Sequence, residues 1–120
     1  MEIVEKILGR LGYQSVETME INDGVTLQSD GFDDLSIEKV GSNLISVSQH
    51  YVQRGDVMCD PEVVFRIEDG EWIPVEYIQH PRVHEYDDNG LYLDGLIDTW
   101  NMNLKEQGFL KEAERIVIEG

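Results

Sequence analysis

The sequence holds a single cysteine, Cys59, and only nine lysines and arginines against 25 aspartates and glutamates. One thiol cannot build an intrachain disulfide framework, which excludes the stapled secreted mini-domain and suits a reducing cytoplasm. The shortage of cations leaves a formal charge of −16 at pH 7, and a surface of that sign repels phosphate backbones, so direct nucleic-acid binding is not expected. Long hydrophobic runs are missing as well. No segment approaches the roughly 20 apolar residues of a bilayer-spanning helix, and Met1-Glu2-Ile3-Val4-Glu5-Lys6 lacks a basic leader ahead of an apolar stretch. The expectation is therefore a cytoplasmic protein without a membrane anchor. No GxGxxG, phosphate-binding loop or EF-hand loop occurs, and Ser42, Ser46 and Ser48 lack the glycine-flanked elbow of a hydrolase nucleophile, so no cofactor is expected.

What is present is enough for one core. With 120 residues and 41% hydrophobic content, the chain suits a single domain over residues 1–120. Ile3, Val4, Ile7, Leu8 and Leu11 recur at helical spacing until Gly12. From Val16 the period changes to two, and Val16–Ile21 is expected to pair with Val25–Gln28 across the Asn22-Asp23-Gly24 turn. Gly31–Asp34 is a polar break. Leu35, Ile37 and Val40 suggest a strand, and Leu44–Val52 alternates, with Leu44, Ser46, Ser48 and His50 on one face and Ile45, Val47, Gln49 and Tyr51 on the other. Pro61–Ile67 and Glu71–Ile78 form further strands around an Asp69-Gly70 turn. The segment from His80-Pro81 to Asn89-Gly90 reads as a strand edge or exposed loop. Leu93, Leu96, Ile97, Trp100 and Leu104 then repeat at three and four residues, giving a helix to Gln107-Gly108, and Phe109–Ile118 a second one. The expected fold is α+β, a curved antiparallel meander flanked by an N-terminal helix and C-terminal helices. Phe65, Trp72, Tyr77, Trp100 and Phe109 fall at core positions.

The densest chemistry lies where two strands meet at a polar turn carrying His50, Asp56, Asp60 and Glu62. A histidine and carboxylates within mutual reach could hold a divalent cation or form an acid and base pair. Their spacing matches no metal motif of fixed geometry, and Asp beside Gly or Pro commonly bonds turn amides instead, so the expectation is a structural turn with no metal. His80 and His84 in an extended segment would stand roughly 13 Å apart, too far for one ion. Cys59 has no partner of CxxC type and reads as a spectator.

His50-Tyr51, Gly55-Asp56, Met58, Asp60-Pro61-Glu62 and Phe65, followed by Trp100-Asn101, Asn103-Leu104 and Gln107-Gly108-Phe109, give the patterns HYxxxGDxMxDPExxF and WNxNLxxQGF. In these the chain resembles a family of small uncharacterised bacterial proteins from plasmids, phages and integrative elements. The resemblance spans roughly residues 44–110, and the chain departs from it at Gln53-Arg54, where the pattern carries Gln-Asn. It implies a mobile-element setting and no catalytic residues.

Mobile elements must defeat host restriction and CRISPR systems, and carboxylates placed like phosphates can satisfy the lysines and arginines of a nucleic-acid groove. The leading expectation is accordingly a non-enzymatic inhibitor or adaptor that binds a basic protein such as a host defence nuclease. Asp30, Asp33, Asp34, Glu85, Asp87 and Asp88, on loops where charge meets no core penalty, are the candidate partner-binding residues. The alternative is a small metal-assisted hydrolase or nuclease using His50, Asp56, Asp60 and Glu62, and a third reading is a structural accessory domain of a plasmid maintenance system.

Overall fold

The computed structural model describes residues 1–79 and 83–119. Helix α1 (Glu2–Arg10) buries Ile3, Val4, Ile7 and Leu8, with Glu2 and Glu5 in its first turn and Arg10 in its last, as the helix dipole favours. It ends where Gly12 takes φ +100°, which lets Gly12 N donate to Gly9 O and Tyr13 N to Leu8 O, the paired bonds of a glycine-terminated helix.

Six strands follow, each antiparallel to its neighbour and ordered β1-β2-β3-β4-β5-β6 in one sheet. They are β1 (Gly24–Leu27), β2 (Asp34–Gly41), β3 (Leu44–Gln53), β4 (Asp56–Glu68), β5 (Glu71–Gln79) and β6 (Val83–Tyr86). Helices α2 (Asp94–Glu106) and α3 (Phe109–Glu119) close the chain. The fold is α+β with an antiparallel meander, as expected, and the sheet is open, with β1 and β6 at its edges. His80 and Pro81 lie outside the described residues.

Two local expectations are corrected. Val16–Ile21 is not a strand. Val16–Thr18 forms a 3₁₀ turn closed by Ser15 N donating to Thr18 Oγ1 and Thr18 Oγ1 donating to Ser15 O, and the spacing of three sends Val16 and Met19 into the core together. Asn22 N then donates to Lys39 O and Lys39 N to Asp23 O, so the Asn22-Asp23-Gly24 segment ties to β2. β1 pairs with β2 as well, and Gly24 permits this approach, since a Cβ there would stand 2.7 Å from Ile37 O.

The second correction concerns the central turn. It is tighter than expected, because Asp56, Asp60 and Glu62 all belong to strand β4. Arg54 (φ +53°) and Gly55 (φ +85°) alone make the reversal, both left-handed as a two-residue hairpin of this twist requires.

Register assigns the two faces of the sheet. Leu35 opposes Gln49, Ile37 opposes Val47 and Lys39 opposes Ile45; Val47 opposes Val63 and Ile45 opposes Phe65. All of these are buried, and with α1, α2 and α3 they form a single core that includes Trp100, Leu104, Phe109 and Ala113. Phe65 and Trp72 meet edge to face at 5.3 Å. Lys39, 1% exposed, is the charged exception, and its Nζ donates to Val16 O at 2.6 Å, tying β2 to the 3₁₀ turn. The helices' buried residues all belong to that core, so among the described residues no helix covers the opposite face, which carries Ser36, Ser46, His50, Glu62 and Glu76.

Candidate functional surface

The aromatic, asparagine and glutamine residues that mark the chain's C-terminal pattern serve the core. Buried Gln49 is their hub: Trp100 Nε1 donates to Gln49 Oε1 at 2.9 Å, and Gln49 Nε2 donates to Gln107 Oε1 at 2.9 Å and to Asp33 O at 3.2 Å. Ser29 Oγ donates to Gln107 O at 2.6 Å, satisfying a carbonyl that the end of α2 leaves without a helical partner. Asn101 Oδ1 accepts from Ile3 N at 2.9 Å, supplying to α1 the capping bond that its own N-cap, Met1, does not. Gly108, at φ +86°, turns α2 into α3. These residues lock three helices to the centre of the sheet, which leaves the uncovered face and the strand edges as the surface on which chemistry or recognition can act.

On the uncovered face, Thr26 Oγ1 and Ser36 Oγ lie 3.0 Å apart and Ser36 Oγ and His50 Nε2 2.9 Å apart. Ser46 Oγ donates to Glu62 Oε2 at 2.7 Å, and His84 Nε2 meets Glu76 Oε2 at 2.9 Å. The row is a series of paired polar groups. Strand β4 carries two residues, Asp60 and Pro61, opposite Gln49, because Ser48 pairs with Glu62 while His50 pairs with Cys59. This bulge turns Asp60 toward the helix side. There its Oδ1 accepts from Gln79 Nε2 at 2.8 Å, and with Pro61, Leu96, Trp100 and Asn103 it lines a groove of about 340 Å³. Of the four residues of the metal-assisted alternative, His50 and Glu62 therefore occupy the uncovered face with separate partners, Asp60 the other face, and Asp56 the exposed hairpin. Among the described residues, no group of three or more ligating side chains converges. The backbone amides expected to bond Asp60 are replaced by the Gln79 amide.

The six candidate partner-binding acids fall into two trios. Asp30, Asp33 and Asp34 surround the β1–β2 connection, with Asp30 exposed and Asp33 and Asp34 half-buried. Glu85 lies on β6, and Asp87 and Asp88 follow it, all exposed. The first trio lies around β1 and the start of β2, while the second lies on β6 and on the segment after it, where Asp87 N bonds Val75 O of β5; the edge strands themselves are five intervals or about 24 Å apart, so the structure does not bring all six together. In the second trio, Asp87 Oδ1 accepts from Asn89 N and Asp88 Oδ1 from Tyr86 Oη. The Tyr86 phenol is held above its ordinary pKa, first by that bond and then by the Asp88 charge. The Tyr77 phenol is likewise raised, mainly by desolvation and further by Asp60 and Glu85.

Sequence reasoning missed the aromatics that accompany these acids. Phe32 is 48% exposed, Tyr86 63% and Tyr92 97%. Their signal was present in Asp30-Gly31-Phe32-Asp33-Asp34 and Glu85-Tyr86-Asp87-Asp88, where an aromatic sits among acids without an apolar periodicity to bury it.

Residues 2–110 match the family model described as a domain of unknown function, DUF6908. The chain belongs to this family. The match extends through the N-terminal third, beyond residues 44–110. Neither the curated proteins nor the solved structures contain a match. No helix among the described residues is long and apolar enough to cross a membrane.

Proposed function

We propose that this member of DUF6908 is an acidic, non-enzymatic binding protein of a mobile genetic element, an inhibitor or adaptor that docks on a basic protein. Host defence nucleases, meaning CRISPR effectors and restriction enzymes, are the partner class that best suits the charge. The observation that carries this reading is the association of exposed aromatics with carboxylates toward both edges of the sheet: Phe32 with exposed Asp30 and half-buried Asp33 and Asp34, and Tyr86 with exposed Glu85, Asp87 and Asp88. Aromatic anchors supply binding energy at interfaces, and flanking charge supplies orientation and fast encounter. The mobile-element setting rests on the resemblance over residues 44–110. The hydrolase reading through His50, Asp56, Asp60 and Glu62 draws less support, because the bulge at Asp60-Pro61 directs one of its four groups to the other face.

The test is DNA cleavage by purified CRISPR effectors and restriction enzymes with and without the protein, at low and high salt. Inhibition that weakens with salt and disappears when all six acids are changed to their amides, with the circular dichroism spectrum retained, supports the proposal. A chain that inhibits or binds none of these enzymes, or one whose inhibition survives both treatments, overturns it.

A further inference from the structure

The uncovered face is not uniformly polar. Toward the end of the sheet that carries the β2–β3 turn, it opens a cleft of about 350 Å³ whose floor and walls include Val40, Leu44 and Val64, with Glu76, Tyr86 and Asp88 at its rim. Val40 is 42% exposed and Tyr86 63%, so an aliphatic and an aromatic side chain stand in solvent on this face. Val40 follows core-facing Lys39 and so falls on this face by the strand's alternation, and the register shift between Lys39 and Gly41 brings Gly41 opposite Leu44 beside it. The rim is acidic, in a chain of charge −16, and a guanidinium already reaches into it: Arg66 Nη1 donates to Asp88 O.

We infer that this cleft receives an extended cationic segment of the basic partner, an arginine or lysine with an aliphatic residue two positions away, so that both side chains face the cleft. The aliphatic side chains and the methylene stem of the cation lie on Val40, Leu44 and Val64, and the charged head lies between Glu76 and Asp88 against the Tyr86 ring. Each part has a physical counterpart. Arginine and lysine bury their stems on apolar surface while the head stays polar, a cation is attracted to the face of an aromatic ring, and two carboxylates favour a cation over any other head group. Glu76 Oε2 already meets His84 Nε2 and Asp88 Oδ1 accepts from Tyr86 Oη, so the cation meets the remaining carboxylate oxygens, whereas an acidic segment would meet like charge. The inference rests on the protein-binding reading above and names the chemistry that such a partner presents.

Polycations bind any strongly acidic protein, so the test must separate the cleft from bulk charge. The probe is the synthetic peptide acetyl-Arg-Ser-Leu-Ser-Arg-amide, which presents its leucine and arginines on one side when extended, followed by calorimetry and by amide chemical-shift mapping. Shift changes are expected to centre on Val40, Leu44, Val64, Glu76 and Tyr86. Val40→Glu is the decisive variant: it adds a negative charge, which bulk attraction predicts will tighten binding, yet it destroys the apolar floor, which the cleft predicts will weaken binding about tenfold, the equivalent of burying one or two methylene groups. Tyr86→Ala, at an exposed position, is expected to weaken it similarly. Equal or tighter binding by Val40→Glu, or shifts scattered over both edges of the sheet, overturns the inference. If nuclease inhibition is lost with the six acids but persists in Val40→Glu, the cleft fails while the binding-protein reading stands. If the peptide seats in the cleft but no defence nuclease is inhibited, the cleft stands and the proposed partner class fails.

Discussion

Removing the Gln49 hub should produce a specific pattern of energies. Gln49 is 6% exposed and Trp100 5%, and the bond between them, Trp100 Nε1 to Gln49 Oε1, is 2.9 Å long. Gln49→Leu keeps the volume but orphans the indole N–H inside the core, which costs about 1–3 kcal/mol. Gln107 and Asp33, the other two partners, are half-buried and can turn to water, so they add about 0.5–1 kcal/mol between them. The new leucine offsets part of this by its apolar burial, leaving a net loss of about 2 kcal/mol. Trp100→Phe orphans Gln49 Oε1 instead and leaves a small void, for a loss of about 2–4 kcal/mol. The double variant removes both polar partners at once, so the orphan penalty should largely vanish, and the two losses should fall short of additivity by about 1–3 kcal/mol. Urea unfolding of the four proteins at one pH gives the cycle directly, and each kcal/mol should appear as about 3–6 °C in Tm. Losses that add within about 0.5 kcal/mol would show that the indole and amide are not paired in the core, and the assignment of the C-terminal pattern to structure would fall with them.

The hairpin gives a matched pair of expectations: Gly55→Val should lower stability by about 1–3 kcal/mol through strain at φ +85°. Arg54→Asn should raise stability by about 0.5–1 kcal/mol in the same urea assay, because Asn tolerates the left-handed conformation that Arg54 adopts at φ +53°. Thermal shift with Mn²⁺ or Zn²⁺ should show no stabilisation; a rise of several degrees that His50→Ala abolishes would return the metal-assisted reading to first place. Because the Tyr77 phenol is raised by burial and by Asp60 and Glu85, the stability linked to its protonated form is complete below about pH 10 and is lost as pH rises through the folded-state pKa. Tyr77→Phe should therefore flatten the fall of the urea midpoint between about pH 9 and pH 11, and an unchanged slope would refute the linkage.

Much of this fold was legible because its periods are clean. Ile3, Val4, Ile7 and Leu8 before Gly12, and the alternation of Ile45, Val47 and Gln49 against Ser46, Ser48 and His50, each admit one geometry. Val16–Ile21 misled because Val16, Thr18 and Glu20 alternate while Val16 and Met19 also stand three apart, and the Ser15–Thr18 bonds together with the claim of Lys39 on the Asn22-Asp23 backbone decided for the turn. Pro61 hid the true length of β4, since a proline usually marks an edge or an interruption and here sits in a bulge. Lys39 and Gln49 fall in phase with the core residues of their strands, so their burial could be read from alternation; their partners, Val16 O, Trp100 and Gln107, lie at sequence distances that no local pattern encodes.

The candidate surface was only half legible, and the missing half follows from the topology itself. A six-stranded meander whose strands pair in chain order must carry Asp30, Asp33 and Asp34 at one edge and Glu85, Asp87 and Asp88 at the other, whatever the loops do. The edge strands stand about 24 Å apart, roughly three Debye lengths at physiological salt, so charge at one edge is largely screened from charge at the other. Their contributions to a complex should add rather than cooperate, unless one partner touches both. Such a partner would have to cover the uncovered face between them, passing over Ser46, His50 and Glu62 before it reaches the apolar floor at Val64 and Val40. A smaller partner must choose an edge. The β6 edge joins exposed acid, exposed tyrosine and an apolar cleft within one continuous stretch of surface, whereas the groove of about 280 Å³ at the β1 edge is lined by polar groups such as Asn22, Thr26, Ser36 and Glu38, so the β6 edge is where the first contact should be sought.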